Sequence, residues 1–181
     1  RYADTSGIHM DAGRQAWVYR DWLLRALRDD LPFDRFVTEQ LAGDELIDWR
    51  SAKKFTPEIR ELLVATGYLR NILDITAEDI SNLPVERYEA LFKLVEKVSS
   101  STLGLTVNCA RCHSHKFDPI SQKDYYSLFA FFNSNREPGL YSQSPDSNRA
   151  LEPFLEVPSA EHLQRRQKLQ GDIAARGIHV D

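Results

Sequence analysis

Cysteine and methionine are scarce in this 181-residue sequence: it holds two Cys and one Met. Two cysteines exclude a disulfide-rich scaffold. A chain this long needs no such staple, since folding can bury about 70% of its unfolded surface. Long apolar runs are also missing. The longest, Tyr125 to Phe132, is interrupted by Ser127 and is far too short to cross a bilayer. Positive charge is not in excess: 23 Lys+Arg stand against 27 Asp+Glu, a net charge of −4 spread along the chain. This excludes a dedicated nucleic-acid surface, which needs clustered Lys and Arg. No pair of alternating segments flanks an Asn-Gly or Asp-Gly turn, and no internal repeat is found. A hydrophobic content of 42% excludes disorder of the whole chain. No basic-then-apolar leader opens the sequence, which starts at Arg1. Arg1 to Gly13 lacks periodicity, and the C-terminus follows a helical pattern. The expectation is a part of a longer polypeptide.

What is present is helical periodicity. Tyr19, Leu23, Ala26 and Leu27 share one face between Gln15 and Arg28, widened by Trp17, Val18 and Trp22. Phe33, Phe36, Val37, Gln40 and Leu41 form a second stripe with Gly43 as its stop. Thr56-Pro57-Glu58 is a helix start: hydroxyl cap, proline at the first position, acid in the first turn. That helix is expected to end near Gly67. Thr76 to Asp79 reads as a short helical turn. Pro84 opens a helix whose face is Val85, Tyr88, Leu91, Phe92, Val95 and Val98, ended or softened by Ser99 to Ser101. Leu103 to Pro119 reads as a structured loop. Ser121 to Asp124 is a capping box with Asp in place of Glu, starting a helix with Tyr125, Tyr126, Leu128, Phe129 and Phe132. Ser159 caps a last, very polar helix. The expected fold is all-α: a helical domain over residues 1–135, a Pro/Ser-rich linker over 136–158, and the start of an extended polar helix over 159–181.

Both cysteines fall in one segment, Cys109-Ala110-Arg111-Cys112-His113. This is C-x-x-C-H, the attachment pattern of c-type haem. Two thiols three positions apart reach the two vinyl groups of one porphyrin, and the adjacent imidazole is held beside the iron. Three other readings stay open. Cys109, Cys112, His113 and His115 offer four zinc ligands, crowded into seven residues. A thioredoxin-like dithiol requires a preceding strand. A plain disulfide or free thiols need nothing further.

The wider segment, CARCHSHKFDP from Cys109 to Pro119 followed by an Asp-Tyr-Tyr helix, resembles the planctomycete-type cytochrome c domain family of large exported proteins. Further elements in the same order carry the resemblance: Arg1 to Asp4, Tyr19 to Asp21, Gln40 to Asp44 and Ala65 to Arg70. It covers about residues 1 to 140. The stretch Asn71 to Asn82 departs from it, lacking a glycine- and acid-rich loop. The resemblance implies an irregular helical, cytochrome c-like fold with one covalent haem c. It implies cofactor-binding residues Cys109 and Cys112, with His113 also the metal ligand. It also implies export to the periplasm or beyond, as part of a larger protein.

The sixth iron ligand is expected from Met10, from His9, from outside this sequence, or not at all. His115 is too near His113 to reach the opposite face of one ring; a hydrogen bond to a carboxylate or a haem propionate suits it better. Arg111 is expected at a propionate or as a surface charge, Asp118 in a turn and Asp124 at the helix start. Phe117, Tyr125, Tyr126, Phe129, Phe131 and Phe132 are expected mostly in the core. His162 and His179 are expected in solvent. The functional expectation is electron transfer to a redox partner protein or other domains of the parent chain. The alternatives are a haem enzyme, peroxidase-like or polysaccharide-oxidising, with an open iron site, or a zinc-stabilised structural module.

Overall fold

The computed structural model describes residues 16–72, 84–134 and 158–176. Among them every regular element is helical and no strand is present. Six α-helices follow in order: α1 (Trp17–Arg28), α2 (Phe33–Ala42), α3 (Pro57–Ala65), α4 (Pro84–Val98), α5 (Gln122–Asn133) and α6 (Ala160–Ala175). The N-terminal Arg1–Asp4 element, His9, Met10, the turn expected at Thr76, most of the linker and His179 lie outside the described residues.

Local signals account for most boundaries. Thr56 accepts the Ile59 N–H at 3.2 Å and Pro57 opens α3. The Ser121–Asp124 capping box is complete in both directions, so α5 starts there. Ser159 accepts the His162 N–H and starts α6. The end of α1 uses Asp30 in the left-handed region (φ 50°). The Leu31 N–H then reaches back to the Ala26 carbonyl at 2.9 Å, and Leu31 packs on the core beside it. After α4 the Ser99–Leu103 segment does not end the helix; it widens it into one π-helical turn, closed by Gly104 at φ 66°.

Two apolar clusters organise the described chain. Tyr19, Trp22 and Ala26 of α1 meet Ala65 of α3, with Phe36 of α2 and Tyr68 against them. Leu91 and Val95 of α4 meet Tyr125 and Phe129 of α5, together with Val107 and Ala110 from the loop between. The α1 face is therefore 19, 22 and 26; Leu27 is exposed. The α4 face starts later than its periodicity indicates, since Val85 and Tyr88 are exposed. A polar bridge joins the clusters. Lys97 donates to the Tyr68 carbonyl and lies 3.8 Å from the Tyr68 ring centroid, while the Tyr68 hydroxyl meets Ser101. Helix α6 is exposed along its whole length.

Gly43 and Gly67 are needed for closeness. A Cβ on Gly43 would sit 2.3 Å from the Leu62 carbonyl oxygen, and one on Gly67 would sit 2.9 Å from Tyr19 Cβ. Neither neighbour is the loose end of a flexible side chain. Gly67→Ala is expected to cost about 1–3 kcal/mol through overpacking. Gly171→Ala, where a Cβ meets nothing within 4 Å, should keep or raise helicity. Urea unfolding of both variants checks this; a Gly67→Ala midpoint equal to the parent's contradicts the packing described.

Candidate functional site

The site is a turn that faces both ways. Asn108–Arg111 forms a 3-10 turn in the connection between α4 and α5. Cys109 lies within this turn and Cys112 directly follows it, and both are free and exposed. The next residue, His113, is exposed as well. Ala110 between them is fully buried in the α4–α5 core, with Val107 beside it.

The Arg111 side chain, 36% exposed, is paired within the protein. Its guanidinium makes two hydrogen bonds to the Glu89 carboxylate, one from Nη1 at 3.2 Å and one from Nη2. The same group lies 3.7 Å from the Phe92 ring centroid. Its carbonyl accepts from Gln122 Nε2 at 3.1 Å and from the Tyr126 hydroxyl at 3.0 Å. The bond from Arg111 holds the Glu89 carboxyl below the usual carboxylate range, and Glu89 in turn raises the guanidinium.

The two histidines are set differently. His113 Nδ1 lies 2.9 Å from the Ser114 carbonyl oxygen. A carbonyl only accepts, so in the neutral ring Nδ1 holds the proton and Nε2 the lone pair. His115 is inverted. Its Nδ1 accepts the Asp118 N–H at 2.9 Å and the Phe117 N–H at 3.4 Å, which puts the neutral ring's proton on Nε2. The Asp118 carboxylate lies 3.1 Å from that same Nδ1. A nitrogen that accepts two N–H groups cannot also donate there, so this is a contact and not an ion pair in the neutral ring. The His115 N–H donates to the Ile120 carbonyl at 2.8 Å, closing the His-Lys-Phe-Asp-Pro loop. Among the described residues, no three side chains of His, Cys, Asp or Glu gather as a metal site would require.

Asp118 and Asp124 serve the loop and the helix start. The Ser121 side-chain hydrogen bond keeps the Asp124 carboxyl low. Of the expected core aromatics, Tyr125 and Phe129 are buried, and Phe132 is partly buried against them. Tyr126, Phe117 and Phe131 are exposed, Phe117 by 84%. His162 is exposed on α6. The inward roles of Arg111 and Glu89 escape sequence reasoning. Glu89 is one of three Glu in α4 and stands 22 residues upstream of the arginine, so nothing adjacent in sequence marks the pair.

The family PSCyt2, described as a protein of unknown function (DUF1549), matches residues 1–137, and the chain belongs to this planctomycete-type domain family. No curated protein and no solved structure matches the chain. The family's description assigns neither cofactor nor activity.

A carboxyl whose folded pKa is depressed contributes stability above its unfolded value, and that contribution fades as pH falls through the folded value. Glu89 is such a group. Stability should therefore begin to fall as pH drops below about 4.3, the unfolded value for Glu. Glu89→Gln should be less stable at neutral pH and show a flatter acid limb. Urea midpoints between neutral and acid pH test this; parallel limbs in the two proteins contradict it.

Proposed function

We propose that this PSCyt2-family chain is a c-type cytochrome domain that holds one covalent haem and passes electrons within or between exported proteins. Cys109 and Cys112 would hold the group as thioethers, and His113 Nε2 would be the protein's ligand to iron. One observation carries the reading. Two accessible thiols stand three apart on a turn, and the imidazole directly after them has Nδ1 committed to a carbonyl and Nε2 free. This donor set fits haem c. It fits zinc poorly, because the fourth candidate, His115, spends its Nδ1 on backbone N–H groups and no three ligands are gathered among the described residues.

When bound, the group supplies one-electron chemistry at iron. The chain does the rest. The Ser114 carbonyl fixes the His113 tautomer and strengthens the ring as a donor. Exposed Leu105 and Phe117, four residues to either side of the motif, offer apolar surface to a flat hydrophobic ring. Electron transfer is preferred over an oxidative enzyme because the sequence shows no Arg-His pair of the kind a distal acid–base site uses, and the nearby Asp124 carboxylate already serves a cap. The partner is a redox protein or other domains of a parent chain, in the periplasm or outside the cell.

The test is expression with export and cytochrome c maturation, followed by a reduced spectrum in alkaline pyridine. The expected band is that of a haem bearing two thioethers. Cys109→Ala should shift it to the single-thioether position, and Cys109→Ala with Cys112→Ala should release the haem on denaturation. A chain that carries zinc and no haem contradicts the proposal. A haem that mediators can neither reduce nor oxidise contradicts the electron-transfer part alone.

A further inference from the structure

We infer that Arg111 is a positioning residue for haem attachment, locking the Cys109–Cys112 turn in its attachment-ready shape before any thioether forms. This rests on the haem reading above. An isolated 3-10 turn has poor hydrogen-bond geometry and does not persist alone. The bonds that join this turn to its flanks are partly long: the Ala110 N–H reaches the Val107 carbonyl at 2.9 Å, and the Cys112 and His113 N–H groups share the Cys109 carbonyl at 3.4 Å. Side chains of the flanking helices add a further hold.

That hold converges on one residue. Glu89 and Phe92 of α4 take the Arg111 side chain, and Gln122 and Tyr126 of α5 take its carbonyl. Both helices that flank the loop are thereby tied to the peptide just before Cys112. A planar guanidinium is required, because it alone can pair bidentately with a carboxylate while stacking on a ring. Ala110, with no exposed surface, pins the preceding position from inside. The two residues between the cysteines are therefore clamps and not spacers. Each thiol adds across one vinyl group: sulfur bonds to one vinyl carbon, the thiol proton ends on the other, and no electrons are gained or lost. Two such additions on one ring depend on the spacing of the thiols, and a turn already ordered loses no further freedom in reaching it.

The test uses the full chain with Arg111→Lys and, as a milder variant, Glu89→Gln. In the haem-free chain, amide exchange at Ala110 and Cys112 should be slow and become roughly tenfold faster in Arg111→Lys, the loss expected for one charge-assisted pair. Far-UV helicity should be unchanged. After maturation, the variants should shift from doubly attached haem towards singly attached haem, read from the pyridine band and intact mass. Wild-type exchange together with wild-type attachment in a folded variant overturns the inference. If Arg111→Lys does not fold, Glu89→Gln decides by the same readouts. A parent chain with no haem at all overturns the cytochrome reading instead, while the exchange measurement still reports on the clamp.

Discussion

The exposed face of Cys109–His113 depends on the buried face behind it. Ala110 fills the α4–α5 core and Arg111 is held by side chains from both helices, so the turn between them has little freedom. Cys109 within the turn and Cys112 directly after it are both left exposed. The Ser114 carbonyl then settles which nitrogen of His113 is available. His115, two residues on, has the opposite tautomer because its Nδ1 closes the following loop. The loop thus separates two similar residues into one with a free Nε2 lone pair and one that shapes backbone. Reactive groups are carried here by a short irregular connection, and precision comes from the helices that trap it.

The remaining elements place that connection. The capping box at Ser121 fixes where α5 begins, so Tyr125 lands under Ala110 and Tyr126 reaches the Arg111 carbonyl. The π-helical turn at Ser99–Leu103 extends α4 and carries Ser101 to the Tyr68 hydroxyl. Lys97 and Tyr68 then couple this half to the α1–α3 half. In that second half, Gly43 and Gly67 permit backbone approaches that a Cβ would block. The cost of the arrangement is visible in the core: the Tyr125 and Ser99 hydroxyls are buried without a hydrogen-bond partner among the described residues.

How much of this was legible in sequence follows from which signals are local. Thr56-Pro57, Ser121 to Asp124 and Ser159 state their caps in adjacent residues, and the structure uses them. The all-α class follows from 3.6-residue periodicity without alternation. C-x-x-C-H is contiguous and needs no tertiary knowledge. Burial of particular faces is less legible, because it depends on where a neighbour ends. Leu27 and Val85 continue their stripes yet are largely exposed, and Tyr88 meets the core only at its edge, its ring 6.1 Å from that of Phe129. The serine run illustrates competing cues: serines weaken a helix, but here the Ser100 and Ser101 hydroxyls bond back to the Lys97 carbonyl while the ladder widens. The Arg111–Glu89 pair is long-range, so neither residue's neighbourhood announces it.

The central claim is that both cysteines and His113 serve one covalent haem. Intact-mass measurement of the exported, matured chain under denaturing conditions, followed by peptide mapping, tests it most directly. The account predicts a mass increased by one haem that survives denaturation, with both thiols blocked and the added mass confined to the peptide containing Cys109 to His113. An unmodified mass with two titratable thiols, or haem lost on denaturation, would contradict it.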